Sequence, residues 1–206
     1  MQGACKPKVI LLDFDGTIVD TMDEYARLAA DIITAETRLP RDEVEKRYRE
    51  TAGMAFRDQL RLLGLDDGTI EGIASKFEAA KRRLLSRLRV SENVEWFVKQ
   101  ARARGLKVYV STNNECNVVN SNAALLKPFD GVLCYDPERG LKKGEGHIGF
   151  LERVLGVRRC EIVFIGDSRY DVELHRSLGV RILVTRGLWL DAERVLHSLD
   201  RILNDP

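Results

Sequence analysis

Four aspartates lie where two short apolar runs of the chain end. Asp13 and Asp15 follow the first run, and Asp167 and Asp171 follow a later one. At the end of a strand, side chains two residues apart point the same way, so Asp13 and Asp15 could face one site. Carboxyl groups gathered around one point do not all stay ionised without a cation, and hard oxygen ligands favour Mg²⁺ over zinc. The pattern indicates a magnesium site, although Asp13 and Asp15 alone could instead cap a loop or a helix start.

Hydroxyl, amide and ammonium groups follow two further apolar runs. The segment Ser111–Asn114 ends one of them, and Lys142 and Lys143 lie in the loop beyond the other. A hydroxyl and a lysine beside a cation form an arrangement that holds phosphate oxygens. Because polar groups of this kind recur at three predicted strand ends, we interpret them as one site.

Five short apolar runs predict the scaffold that brings these residues together. They are Val9–Leu12, Val108–Val110, Val132–Tyr135, Ile162–Ile165 and Ile182–Val184. Such runs are typical of strands buried on both faces, and their alternation with helical patterns predicts a parallel sheet with right-handed crossovers. In such sheets ligands bind beyond the carboxyl ends of the strands, where the polar residues stand. We therefore expect an α/β fold, a Rossmann-like parallel sheet core with helices on both faces.

A long segment between the first two predicted strands breaks this alternation. Residues 21–89 contain no strand-like run and divide into successive helical segments, punctuated by Pro40, Gly64 and Gly68. We expect a small all-helical cap domain, residues 20–89, inserted into a core made of residues 1–19 and 90–206.

Composition excludes several classes of protein. The 206 residues are 44% hydrophobic and 32% charged, which suits a chain that buries a core. No apolar run is long enough for a membrane-spanning helix. Lysine and arginine total 33 against 32 aspartates and glutamates, so there is no basic excess for wrapping nucleic acid. We expect a cytoplasmic protein with neither a membrane nor a nucleic acid as partner, because the N-terminus also lacks the apolar stretch of a secretory signal.

The four cysteines are Cys5, Cys116, Cys134 and Cys160. A zinc cluster or a redox pair requires closer spacing than theirs. We expect free, reduced thiols that pack as small apolar residues, in keeping with a cytoplasmic location.

Four motifs occur in the order found in the haloacid dehalogenase-like (HAD) superfamily, which the whole chain resembles. The matching residues are Asp13–Thr17, Thr112, Lys143 and Gly166–Asp171. The interval between the first two motifs leaves room for a helical cap, so the chain resembles the phosphoglycolate phosphatase and β-phosphoglucomutase-like branch.

One departure concerns the lysine motif. Many relatives carry a proline after the motif lysine and another two residues later, where this chain has Gly144 and Gly146. We take Lys143 as the matching residue, whereas Lys142 is the match if the loop is one residue shorter.

The resemblance implies a HAD-type phosphoric monoester hydrolase. It would be a Mg²⁺-dependent phosphatase acting on a small phosphorylated metabolite through an aspartyl-phosphate. Asp13 would be the nucleophile, and Asp15 would protonate the leaving oxygen and later activate water. Mg²⁺ would be held by Asp13, the backbone carbonyl of Asp15 and Asp167. The family's dehalogenases lack the second aspartate, so Asp15 points to phosphoryl transfer.

The remaining motif residues would bind the phosphate and support the catalytic groups. The resemblance implies that Thr112 and Asn113 hydrogen-bond the phosphate, while Lys143 balances the charge at the nucleophile. Asp171 would support the metal site through Lys143 or through a water molecule.

Specificity is expected to come from the cap. The segment Thr51–Arg57 resembles the glycine-containing substrate loop of capped relatives, so Arg57 is a possible contact for an anionic group of the substrate. An exposed helix arginine is the competing interpretation of Arg57. A basic cluster from Lys81 to Arg89 is interpreted as a solvated helix face.

Other activities stay open at this point. A sugar phosphomutase of the same superfamily would need further acid–base and sugar contacts from the cap. A phosphonatase would need a cap lysine, for which Lys46 and Lys76 qualify by position only. A non-catalytic binding module would usually lack the nucleophile, which this chain retains. The physiological substrate and the oligomeric state are not readable from these motifs.

Overall fold

A five-stranded parallel sheet forms the centre of the computed structural model, which describes residues 5–204. The ends of the predicted core, residues 1–4 and 205–206, lie outside the described residues. The strands correspond to the five predicted runs and are β1 (Val9–Asp13), β2 (Lys107–Glu115), β3 (Gly131–Tyr135), β4 (Ile162–Gly166) and β5 (Arg181–Val184). Their order in the sheet is β3-β2-β1-β4-β5.

Helices occupy the segments between the strands. They are α1 (Met22–Glu36), α2 (Arg41–Glu50), α3 (Phe56–Leu62), α4 (Asp67–Leu85), α5 (Glu92–Ala103), α6 (Cys116–Val119), α7 (Ala123–Leu126), α8 (Glu145–Leu155), α9 (Arg169–Ser177) and α10 (Leu188–Asn204). Side chains alternate along a strand, so Ile10 and Leu12 join one apolar layer with α5 and α10. Val9 and Leu11 join another layer with α8. Both faces of the sheet are covered, which confirms the predicted α/β core.

The helices α1–α4 pack around an apolar cluster of their own. Phe77 is at its centre, with the rings of Tyr25 and Tyr48 meeting it edge to face at centroid distances of 5.8 and 5.9 Å. The longest of these helices, α4, begins where Asp66 accepts a hydrogen bond from the backbone N–H of Thr69, as a helix N-cap does. The exact division of the chain into a cap of residues 20–89 and a core stays a prediction.

The expectation of free thiols is wrong, because all four cysteines form disulfides. Cys5 bonds to Cys160 with a Cα–Cα distance of 5.8 Å, and Cys116 bonds to Cys134 with a Cα–Cα distance of 5.1 Å. The physical reason is the strand order. Cys5 and Cys160 precede the neighbouring strands β1 and β4, and Cys116 follows β2 beside the Cys134 of β3. Cysteine usage therefore gives no support to the predicted cytoplasmic location.

None of the helices between residues 5 and 204 combines the length and the apolar character that crossing a membrane requires.

Candidate active site

The predicted catalytic and metal-binding residues meet at the carboxyl edge of the sheet. Asp13 ends β1 in register with Ser111 of β2, and Gly166 ends the adjacent β4. The core side of the resulting cleft is lined by Asp13, Asp15, Thr112, Asn113, Asn114, Lys143, Asp167 and Ser168. The helical side contributes residues of α1–α4 and of the loop between α2 and α3, among them Tyr25, Gly53, Gln59, Phe77 and Lys81. The cleft thus lies between the sheet and the helices α1–α4.

Lys143 bridges the end of β1 and helix α9 inside the protein. Its Nζ lies 2.6 Å from Oδ1 of Asp13 and 3.0 Å from Oδ2 of Asp171, and all three side chains are buried. Burial acts to lower the pKa of Lys143, but the charges of Asp13 and Asp171 outweigh it and raise that pKa. The lysine therefore stays a cation. Its neighbour Lys142 points elsewhere and pairs with Asp58 of α3 at 2.6 Å.

Gly144 and Gly146 occupy the two positions after Lys143 at which the resemblance to the HAD superfamily predicts prolines. Gly144 has a φ of +94°, which the ring of a proline cannot adopt. A Cβ on Gly146 would lie 2.5 Å from the carbonyl oxygen of Gly140. The loop therefore depends on close backbone packing, and it still brings Lys143 to Asp13.

Asp15 is held by neutral donors, in contrast to Asp13. The hydroxyl of Thr21 donates to Oδ1 of Asp15 at 2.6 Å, and the amide of Asn114 donates to Oδ2 at 2.7 Å. Burial raises the pKa of Asp15, while these two bonds and the charge of Lys81 oppose the shift. The two aspartates thus lie in different environments within one cleft, as an acid and a nucleophile require.

Asp167 lies against the turn that follows Asp13. The hydroxyl of Thr17 donates to its Oδ1 at 3.1 Å, and its carboxylate occupies the space that a Cβ on Gly16 would need. Gly16 itself has a φ of +77°, a conformation that glycine adopts without steric cost. A glycine at position 16 therefore lets Asp167 approach the backbone beyond β1.

The oxygen donors around Asp13 suit a hard divalent cation. Burial raises the pKa of Asp13 well above its ordinary value; Lys143 opposes the shift, while Asp171 and Asp167 add to it, so the cleft is short of positive charge. Within residues 5–204, no three Asp, Glu, His or Cys side chains gather into a metal site. Asp13 and Asp167 would then be the carboxylate ligands, with the backbone carbonyl of Asp15 as a further donor. Mg²⁺ is commonly bound by one or two carboxylates, with water and substrate phosphate completing its shell, so this donor set fits Mg²⁺.

The side chains of Thr112 and Asn113 differ in the hydrogen bonds that they form within the protein. Oγ1 of Thr112 accepts a hydrogen bond from the backbone N–H of Asn114 at 3.0 Å, which leaves its own proton to be donated into the cleft. The amide of Asn113 bridges the backbone N–H of Lys143 at 3.1 Å and the carbonyl of Gly53 at 2.9 Å. Thr112 is therefore the better placed of the two to bind a phosphate oxygen.

Asp171 contacts the ammonium of Lys143 from outside the cleft. Its Oδ2 accepts from the ammonium and also from the hydroxyl of Ser168 at 2.8 Å, and Ser168 is the N-cap of α9. Asp171 is fully buried. It therefore contacts the lysine from within the protein and does not itself line the cleft.

Arg57 does not line the cleft. Its guanidinium contacts Glu71 at 2.8 and 3.0 Å and Glu115 at 2.6 Å, so carboxylates occupy both of its sides. The cap lysines Lys46 and Lys76 are exposed and also lie outside the cleft.

Lys81 is a residue of the cleft that the sequence interpretation missed. That interpretation places it on a solvated helix face, but it is 3% exposed and lines the cleft, whereas Arg83 is exposed. A signal for its burial exists, because Lys81 follows Phe77 by four residues and so shares the apolar stripe of α4.

His147 is also fully buried. Its Nδ1 lies 2.8 Å from Oγ of Ser111 and its Nε2 lies 3.2 Å from the carbonyl oxygen of Cys134. Burial lowers the pKa of His147 to about 3. The neutral ring therefore packs behind β2 rather than in the cleft.

Known proteins resemble this chain in sequence and in fold. A profile of the family described as "Haloacid dehalogenase-like hydrolase" matches residues 10–185. A phosphoglycolate phosphatase of Pseudomonas savastanoi pv. phaseolicola is 26% identical over 185 residues, which cover 84% of this chain and 67% of that protein. A hydrolase from Pseudomonas syringae superposes with a TM-score of 0.74 at 18% identity, over 95% of this chain and 90% of that one. A mutant of CbbY from Rhodobacter sphaeroides, solved with xylulose-(1,5)bisphosphate, superposes with a TM-score of 0.67 at 18% identity, over 87% and 86% of the two chains.

Proposed function

The chain belongs to the haloacid dehalogenase-like hydrolases, and we propose that it is a Mg²⁺-dependent phosphatase of a small phosphate monoester. The proposal is carried by one observation, the different partners of Asp13 and Asp15 within one cleft. Asp13 is bonded to the cationic Lys143, and Asp15 is bonded to the neutral side chains of Thr21 and Asn114. A nucleophilic carboxylate and a proton-donating carboxyl group need these two kinds of surroundings.

Hydrolysis of a phosphate monoester is slow because an anion must approach an anion. In the proposed first step, a carboxylate oxygen of Asp13 attacks phosphorus and the bond from phosphorus to the leaving oxygen breaks. Asp15 gives its proton to that oxygen, which departs as an alcohol. The ammonium of Lys143 and the hydroxyl of Thr112 hold the phosphoryl oxygens in line for the attack.

The second step returns the enzyme to its starting state. Asp15, now a carboxylate, takes a proton from a water molecule, whose oxygen attacks phosphorus. The bond between phosphorus and Asp13 breaks, inorganic phosphate leaves, and Asp15 is again protonated. Bound Mg²⁺, held by Asp13, Asp167 and the backbone carbonyl of Asp15, would neutralise charge on the phosphoryl oxygens.

The helices α1–α4 serve as the cap in this proposal. Tyr25, Gln59 and Phe77 line the cleft opposite the catalytic aspartates, so the leaving group of the substrate would meet them. Gly53 supports the same role. Its carbonyl accepts a hydrogen bond from Asn113, and a Cβ at this position would lie 2.7 Å from Oγ of Ser168 and 2.9 Å from Oδ2 of Asp171. The substrate must therefore be small enough to fit between these helices and the sheet.

Phosphate release from a panel of small phosphate esters tests the proposal. We expect release that requires Mg²⁺ and that Asp13→Asn abolishes. Asp20→Asn is the matched control, because it makes the same chemical change on an exposed carboxylate of the neighbouring loop. Full activity in Asp13→Asn, or release that a metal chelator does not affect, would refute the proposed function.

A further inference from the structure

A buried lysine of α4 reaches from the cap into the catalytic cleft. Nζ of Lys81 lies 2.8 Å from Oδ1 of Asn114, 2.7 Å from Oε1 of Glu78 and 4.8 Å from the ring centroid of Phe77. Burying an ammonium group is costly even when it is paired. Glu78 and the aromatic ring compensate part of that cost, but neither explains why the lysine also contacts the core.

The contact with Asn114 fixes the orientation of an amide that touches Asp15. Nδ2 of Asn114 donates to Oδ2 of Asp15 at 2.7 Å, and Oδ1 of Asn114 accepts from Lys81. A flipped amide would turn its NH₂ group towards the ammonium and its oxygen towards the carboxylate, and both contacts would be repulsive. Lys81 therefore helps to fix which end of Asn114 faces Asp15.

The amide of Asn114 donates one of the two side-chain hydrogen bonds that hold Asp15. Thr21 holds one carboxylate oxygen from the loop before α1, and Asn114 holds the other from β2. Proton transfer to a leaving oxygen falls off steeply when the donor is misplaced. The orientation of the general acid therefore rests on a chain of two hydrogen bonds that begins on the cap.

We infer that Lys81 is a positioning residue for Asp15, which acts through Asn114 and makes the proton transfer depend on the cap. The inference rests on the proposed function, since it assigns Asp15 the role of the acid. It predicts a defect confined to esters whose leaving group needs a proton. An alkyl phosphate has such a leaving group, whereas p-nitrophenyl phosphate releases a phenolate that is stable without one.

The experiment measures kcat/KM in Lys81→Met and in the unaltered protein. The two substrates are p-nitrophenyl phosphate and the alkyl phosphate of the panel that the unaltered protein hydrolyses fastest. We expect kcat/KM for the alkyl ester to fall at least about tenfold further than for the aryl ester, with KM nearly unchanged. Lys76→Met is the matched control, because it removes an exposed lysine from the same helix and should lower neither value. An equal loss with both esters, or a change in KM alone, would overturn the inference and indicate a structural or substrate-binding role.

Asn114→Ala supplies a second test that does not require Lys81→Met to fold. It should show the same selectivity for the alkyl ester, and the double variant should be no more defective than either single variant, because both changes break one chain. Additive losses would contradict the inference. If the unaltered protein hydrolyses no ester of the panel, the proposed function fails and the inference fails with it. Activity with equal losses for the two esters refutes the inference alone.

Discussion

Nζ of Lys143 lies 2.6 Å from Oδ1 of Asp13, in a buried contact between residues that are 130 positions apart in the chain. The contact exists because β1 and the loop before α8 meet at the carboxyl edge of the sheet. Among residues 5–204, Lys143 is the one cation that forms an ion pair with Asp13. The proposed mechanism therefore requires the ion pair of Lys143 and Asp13.

Lys143→Met should remove most of the activity. The variant loses the cation that holds both Asp13 and the phosphoryl oxygens, and we expect kcat to fall by about 100-fold or more. Lys142→Met is the control, because the adjacent lysine pairs with Asp58 on the cap instead. Comparable losses in the two variants, measured on protein shown to be folded by circular dichroism, would contradict the assignment of Lys143.

Gly16→Ala should weaken the binding of Mg²⁺ and lower the stability of the fold. A Cβ at this position would collide with the carboxylate of Asp167, and the φ of +77° is itself unfavourable for alanine. Gly64→Ala is a close control, since Gly64 has a φ of +75° but nothing lies within 4 Å of the added Cβ. We expect Gly64→Ala to lower the free energy of unfolding by about 1 kcal/mol and to leave activity intact. Gly16→Ala should raise the Mg²⁺ concentration needed for half-maximal activity, and an unchanged Mg²⁺ titration would contradict the role of Asp167.

Two buried histidines should make the protein less stable in mild acid. Burial lowers the pKa of His147 to about 3 and that of His175 to about 4, against an unfolded value of 6.5. The unfolded chain therefore binds protons below pH 6.5 that the folded chain does not, so these residues favour folding fully above pH 6.5 and progressively less as the pH falls to 4. The slope should reach about 1.4 kcal/mol per pH unit for each histidine.

Urea unfolding at several pH values between 6.5 and 4 measures this slope. His147→Gln should reduce it, because the unfolded chain then gains one proton fewer. His197→Gln replaces an exposed histidine and serves as the control for the substitution itself. A pH dependence of the free energy of unfolding that His147→Gln leaves unchanged would show that the ring of His147 is not held neutral.

Of the two disulfides, the one that closes the longer loop should contribute more to stability. Cys116–Cys134 closes a loop of 18 residues and Cys5–Cys160 one of 155. Loop-closure entropy predicts that Cys116→Ser/Cys134→Ser lowers the free energy of unfolding by about 3 kcal/mol and Cys5→Ser/Cys160→Ser by about 5 kcal/mol. Thiol titration of the unfolded, unreduced protein should find no free thiol, and four free thiols would contradict both disulfides.

Residue types at strand ends were sufficient to predict much of the site. Asp13, Thr112 and Asp167 follow apolar runs, and the carboxyl ends of parallel strands meet at one edge, so their proximity follows from the fold class alone. The disulfides could not be predicted from spacing, because Cys5 meets Cys160 only through the order of the strands. The position of Lys81 on the apolar stripe of α4 could be predicted, because Lys81 follows Phe77 by four residues in the sequence. Its hydrogen bond to Asn114 could not be predicted, because that contact depends on how the helices pack against the sheet.

Trapping the covalent intermediate tests the central claim most directly. Borohydride reduces an acyl phosphate on an aspartate to homoserine, and peptide mass spectrometry locates the changed residue. During turnover of a reactive ester with Mg²⁺, the phosphatase mechanism predicts homoserine at position 13, with none formed when the ester or Mg²⁺ is left out. An active protein that gives no homoserine under these conditions, or gives it at position 15 or 167, would contradict Asp13 as the nucleophile.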